Sequence, residues 1–391
     1  MPLADDEPAP AAASGGAARA PLAASPPGVA GRLARGAGGA LSAVALVAAA
    51  VAALALLLTL SGYDASAALG ALARGAVGSG YAFYSATLVR ATPLILTGLA
   101  VALAFRGGVL NIGGEGQLLA GAAAAAAVGV TWGAALGPLL AAPVALAAAA
   151  LAGAAWAWPA AVLRRRFGVL EVISTIMLNF IAAHGVSYLV RGPLQEPTHV
   201  YPQTSSVAAA AELPHIVPGT RLHAGFAIAV AAAALLWWAM RATAAGFRLR
   251  ASGANPHAAA SAGLIDVART TSRAFLLSGA LAGLAGGVEV TGVTYALYEN
   301  LSPGYGYTAI AVALLARLDP ALVVASGVLF GALEAGAGAM QRDAGVPSVM
   351  VSVVEALIVL MLLAADRWRA TRVRARRRTT LVAPAAEVAT A

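Results

Sequence analysis

Long apolar runs alternate with short polar breaks along most of this chain. The first run, Leu41 to Leu60, has the length of a helix that crosses a bilayer. It is too long for the core of a secretory signal peptide, although the Ala65-Ser66-Ala67 that follows faintly resembles a cleavage site. Further runs predict helical spans at 85–105, 109–130, 138–162, 170–190, 223–240, 273–293, 304–316, 320–338 and 348–365. The pattern therefore predicts an all-α polytopic membrane protein with about ten transmembrane helices in a domain from 41 to 366. The run at 304–316 is short for a full crossing and reads as a half-helix held inside the bundle. Residues 1–40, rich in Ala, Pro and Gly with Asp5, Asp6 and Glu7, predict a disordered tail. Residues 367–391 form a basic tail at the other end.

Two connections interrupt the pattern most. The polar island Arg241–Arg273 contains Asn255-Pro256, a short run of small residues including Ala258, Ala259, Ala260 and Ser261, and then Gly263. Asn suits an N-cap, Pro the first helical position, and Gly the stop. One short helix with a nearly bare surface is expected, with Ala259 at its centre. Such a helix buries too little to fold alone and is shaped to enter another protein's groove. The other connection, 191–223, carries Pro193, Pro197, Pro202, Pro214 and Pro218. It reads equally as a rigid loop or as part of a docking surface for an extracytoplasmic partner.

Composition supports the membrane reading. Sixty per cent of the 391 residues are hydrophobic, 11% are charged, and mean hydropathy is +0.81, far from a soluble domain. All 25 basic residues are Arg, so no Walker A loop with its phosphate-binding Lys is present. With no Cys, disulfides and thiolate metal sites are excluded. The sequence pI near 10.4 follows from membrane orientation, and no nucleic-acid partner is needed to explain it. With the N-terminus inside, 20 of the Arg fall on the cytoplasmic side and five, Arg74, Arg90, Arg191, Arg221 and Arg342, on the other. That bias predicts both termini in the cytoplasm. Trp156, Trp158, Trp237, Trp238 and Trp368 near inner ends, and Trp132 near an outer one, suit the two interfaces.

Polar residues at membrane depth are costly and mark interiors or cavities. Asn111, Glu115 and Gln117 stand among Gly113, Gly114 and Gly116. Such an interrupted span is where transporters place substrate, though capping of helix ends accounts for Asn111 and Glu115 equally well. Glu171, Thr175 and Asn179 share one helix face. Glu171 is expected to pair with Arg164–Arg166, and Asn179 to join helices or reach the pathway. Glu289, Tyr295, Tyr298, Glu299 and Asn300 suit a hydroxyl-rich or heterocyclic ligand, and equally a wet interface. Glu334 and Glu355 are further acids within spans. Gly279, Gly283 and Gly287, like Gly327 and Gly331, predict close helix packing. The five His show no metal-ligand spacing, and no catalytic set or cofactor site emerges.

Four segments carry a resemblance: FRGGVLNIGGEGQLLAGA at 105–122, LEVISTIMLNFIA at 170–182, ASGANPHAAASAGL at 251–264 and GYGYTAIAVALLARLDP at 304–320. In order and spacing they resemble the membrane subunits of bacterial ATP-binding-cassette importers, in the nucleoside and simple-sugar branch of the ribose and branched-chain amino-acid permease superfamily. The resemblance implies a two-repeat helical fold in the inner membrane, surrounded by lipid. It also implies three partners: a separate ATPase subunit, a second permease that is a paralogue, and an extracytoplasmic substrate-binding lipoprotein. It makes Asn255 to Gly263, with Pro256, Ala258 and Ala259, the helix that couples to the ATPase. Asn111, Glu115, Gln117, Asn179, Glu289 and Asn300 are the candidates for the substrate pathway. The rival reading is an ion-coupled secondary transporter, with Glu115 or Glu289 carrying the proton.

Overall fold

The protein is described by a computed structural model over residues 48–49, 51–263, 265–347, 349–350, 352–353 and 356. The expected tails, the start of the first span, most of the tenth and Glu355 lie outside the described residues. Apart from two isolated β-bridges, the regular structure described is helical. In chain order it runs α1 (Val51–Leu60), α2 (Ala65–Val77), α3 (Gly80–Arg106), α4 (Gly114–Thr131), α5 (Gly133–Phe167) and α6 (Glu171–Arg191). It continues with α7 (Gly225–Ala242), α8 (Ala244–Ala254), α9 (Pro256–Ser261), α10 (Val267–Thr294), α11 (Tyr305–Leu315) and α12 (Pro320–Ala344). Six of these, α3, α5, α6, α7, α10 and α12, are long and apolar enough to cross a membrane.

Glycine decides which helices meet at the centre. A Cβ on Gly283 of α10 would lie 2.3 Å from the Ala149 carbonyl oxygen of α5, and one on Gly286 2.0 Å from that of Leu118 in α4. On the other side, Gly331 of α12 leaves room for the backbone of Ala91 in α3. The small faces expected at 279–287 and 327–331 therefore mark real close approaches. Around them α3 and α10 are largely buried, whereas α5, α6 and α7 show most of their apolar surface, as lipid-facing helices do.

Several boundaries depart from the periodicity. α2 was not anticipated, and Ala65-Ser66-Ala67 is its first turn. The Asp64 side chain caps it, accepting from the N–H of Ser66 at 2.8 Å and of Ala67 at 3.0 Å. The span expected from 109 starts only at Gly114, because residues 107–113 leave helical form. Gly137, at φ 69°, breaks the start of α5, so the regular helix resumes at Pro138 as the sequence suggested. The polar island holds α8 and the first turns of α10 as well as α9. α11 is short, as expected of a half-helix. Two π-helical turns, Phe83–Thr87 in α3 and Val290–Thr294 in α10, interrupt the long helices near one end of the bundle.

Candidate functional site

The break between α3 and α4 folds inward as a polar knot. Asn111, 1% exposed, donates from Nδ2 to Gln117 Oε1 and to Ser278 Oγ, both at 2.9 Å. Gln117 Nε2 donates back to Asn111 Oδ1 at 3.0 Å, and the Gly113 N–H reaches the same oxygen at 2.9 Å. The Ser278 hydroxyl in turn donates to the Ala100 carbonyl at 2.7 Å. From α6, Asn179 Oδ1 accepts the Gly116 N–H at 2.9 Å, one of the orphan amides at the start of α4. Its Nδ2 donates to the Ile112 carbonyl at 3.0 Å and to the Tyr307 hydroxyl at 3.3 Å. Glu115 Oε2 accepts the Gly306 N–H at 2.7 Å, so its carboxylate sits between the N-terminal ends of α4 and α11. The approach is possible only at glycine: a Cβ on Gly306 would lie 2.1 Å from the Glu115 nitrogen. Four of the six expected pathway residues therefore spend their hydrogen-bonding capacity within the protein.

The other two, Glu289 and Asn300, line open space. A cavity of about 840 Å³ lies between the N-terminal part of α3, the end of α10, the 298–304 connection, α11 and α12. Its wall carries Arg90, Arg221, Glu289, Glu334, Tyr298, Asn300, Tyr305 and Tyr307. Two guanidinium and two carboxylate groups thus face one space. Both π turns open onto it, through Ser85 in one and Val293 and Thr294 in the other; such turns re-aim side chains within a helix. Arg90 and Arg221 were read from the sequence only as outer charges. The signal for Arg90 was available: it is the one charged residue inside the apolar run 85–105, and in the structure the one residue of Leu88–Ala104 that is not buried.

Glu299, grouped with the cavity residues in the sequence, serves the rim instead. Its carboxylate accepts from Arg191 Nε at 2.7 Å and Nη2 at 2.8 Å, and from the Ser187 hydroxyl. The guanidinium first, and the hydroxyl second, hold its pKa at about 2. This ties the 298–304 connection to the end of α6. Glu171 pairs with Arg164 at 3.5 Å, the interfacial ion pair expected.

At the opposite end of the bundle, α9 forms as its residues dictate. Asn255 Oδ1 accepts the Ala258 N–H at 3.0 Å, Pro256 occupies the first turn, and Gly263 ends it at φ 71°. Ala259, expected at the centre of the bare face, is only 6% exposed. α9 packs on α8, and Pro256, His257, Ala258, Ala260 and Ser261 stay exposed around the buried Ala259. Beside it runs an apolar groove of about 440 Å³ that includes Phe247, Ala251 and Ile265.

The sequence as a whole is similar to known proteins. Residues 83–365 match the family model described as a branched-chain amino acid transport system permease component. The chain belongs to this permease family. It is 40% identical over 310 residues to the guanosine ABC transporter permease protein NupP of Bacillus subtilis, covering 78% of this chain and 87% of that protein. It is 40% identical over 298 residues to the glucose ABC transporter permease protein TsgB13 of Haloferax volcanii, covering 73% and 77%. Similarity to the nucleoside ABC transporter permease protein NupB of Lactococcus lactis is 32% over 289 residues, covering 71% and 78%. Each of these three organisms has a second, less similar relative, 27% or 28% identical to this chain. No solved structure matches the chain. As a member of this family the permease is a membrane-embedded transport subunit of an ABC system, not an enzyme.

Proposed function

We propose that this permease forms half of the membrane pathway of an ATP-driven importer for a nucleoside or simple sugar, with the cavity at Glu289, Tyr298 and Asn300 as its solute site. The cavity carries the reading. Its four charged lining groups cancel in sign, which suits a neutral polar solute. Its tyrosines offer flat faces for a heterocycle or a sugar ring, and its carboxylates accept from hydroxyls. Names of the similar proteins include guanosine, nucleoside and glucose. The knot of Asn111, Glu115, Gln117 and Asn179 braces α4, α6 and α11 behind the cavity and holds its wall in place.

Ten spans with both ends in the cytoplasm agree with the arginine bias. On that orientation α9 meets the ATPase at its Ala258 face, and the cavity lies toward the extracytoplasmic side, where a binding lipoprotein delivers solute. The second permease is a paralogue, a reading supported by the paired relatives in three organisms. Closure of the ATPases pushes α9, and α10, which follows it, carries the movement to the cavity wall.

Uptake in proteoliposomes holding the permease with its genomic partners tests this. Labelled guanosine or glucose should enter only with loaded binding protein outside and ATP within. Uptake by this chain alone, driven by an imposed proton gradient, would sink the proposal. Reporter fusions at Gln203 and Ala386 should at the same time report opposite sides of the membrane.

A further inference from the structure

α5 ends on three consecutive cations, Arg164, Arg165 and Arg166. Between that end and the first turns of α10 lies a second pocket, of about 320 Å³. Arg164, Arg165, Thr271 and Ser272 wall it, and Phe275 and Ala161 close its base. Arg164 is committed in part. Its Nη1 lies 3.5 Å from the Glu171 carboxylate and Nη2 donates to the Gly108 carbonyl at 3.2 Å. Yet Nη1 is buried with no hydrogen-bond partner. Arg165 is exposed and makes no ion pair among the described residues. No carboxylate lines the pocket among the described residues. The two hydroxyls donate back into α10, Thr271 to the Val267 carbonyl at 2.9 Å and Ser272 to that of Ala268 at 2.8 Å. Recognition of an anion therefore falls to the two guanidinium groups, which match phosphate oxygens in a fork geometry.

The surroundings say what carries the anion. On the same turns of α5, Leu163 is 36% and Phe167 71% exposed. Positive charge set against bare apolar surface at the end of a membrane helix describes the place of a lipid headgroup above its chains. Basic pockets between transmembrane helices bind such headgroups. A free phosphate ion would gain nothing from Leu163 and Phe167. We propose that this pocket binds the phosphate of an anionic phospholipid, with the acyl chains over the apolar rim of α5. Such a lipid would bridge α5 to the first turns of α10, next to α9.

The test uses the full-length permease in phosphatidylcholine nanodiscs containing increasing phosphatidylglycerol, with bound lipid counted by native mass spectrometry. Arg165→Gln should bind phosphatidylglycerol roughly fivefold more weakly than wild type, the loss of one interfacial cation, and Arg165→Lys should recover most of it. Arg166→Gln removes the same charge one position away, outside the pocket lining, and should change binding by less than about twofold. Equal weakening by Arg165→Gln and Arg166→Gln would mean a diffuse surface field and overturn the site. Inorganic phosphate, added to phosphatidylcholine discs with phosphatidylglycerol present, should not compete. If it displaces the lipid from wild type, the pocket is a free-phosphate site and the lipid assignment fails.

Discussion

Asn111 and Asn300 are the same side chain in one bundle, and their surroundings give them opposite roles. Asn111 finds Gln117, Ser278 and Gly113 and is closed off. Asn300 stands at φ 58° on the cavity wall. Glu115 and Glu289 repeat the contrast, one accepting a backbone amide of α11 and the other lining open space. A polar group at membrane depth must be satisfied. In the knot the protein itself does this, so those residues set the fold of the 107–113 break. Around the cavity, Glu289 and Asn300 face space that the protein does not fill, which on the proposed function leaves them to meet the solute.

The sharpest way to break this comparison is steric. The obstruction at Gly306 is the backbone of Glu115, which cannot step aside. Gly306→Ala should cost about 3 kcal/mol or more and sharply reduce the folded protein recovered on extraction. Gly338 lines the cavity, and among the described residues a Cβ there would meet only the Arg342 guanidinium, at 3.4 Å. Gly338→Ala should fold normally. Equal thermal unfolding of the two variants would show that the knot is not packed as described.

A smaller effect sharpens the division of labour. Asn111→Ala strands Gln117 and should lower stability by about 2 kcal/mol. Adding Gln117→Ala should cost little more, because the two amides act as one unit. Glu289→Gln keeps the shape of a cavity residue and should leave the unfolding temperature nearly unchanged. It should reduce uptake about tenfold, as expected for loss of one charged hydrogen bond to solute. The comparison fails if the two variants exchange phenotypes, with Asn111→Ala stable but inactive and Glu289→Gln active but unstable.

How much of this was legible in the sequence follows from what periodicity reports. Apolar runs and Gly spacing gave the long helices, the short α11 and the close packing at Gly283 and Gly331. Asn255, Pro256 and Gly263 gave α9, because capping is local chemistry. What could not be read was partnership. Nothing in the spacing of Asn111 and Gln117 reveals Ser278, a residue 167 positions on from Asn111, so saturated amides and cavity-facing ones looked alike. The burial of Ala259 accompanies the packing of α9 on α8, a helix that its Gly-containing, weakly apolar stretch did not announce. Arg90 shows the opposite: an arginine near the outer end of an apolar run fits the charge bias of that side, and its local sequence does not reveal the cavity it lines.

The smallest expected effect concerns a group between the two regions. His223 is fully buried ahead of α7, wedged so closely on the π turn of α10 that a Cβ on Gly292 would lie 2.4 Å from its Nδ1. That nitrogen accepts the Gly225 N–H at 3.2 Å, while Nε2 has no partner among the described residues. The ring is thus neither closed like the knot nor open like the cavity. Burial first, then His215 and Arg221, lower its pKa from 6.5 to about 4. The folded state therefore keeps the neutral ring while the unfolded chain takes up a proton. Stability is fully present above pH 6.5 and declines as pH falls toward 4. Between neutrality and about pH 5.5 the loss from this one residue should be about 1 kcal/mol. Thermal unfolding of the permease across that window measures it. His223→Gln should be less stable at neutral pH, since it disturbs the packing on Gly292, but should show a flatter dependence on pH. An unchanged slope in the variant would assign the acid sensitivity to other groups and leave His223 as packing alone.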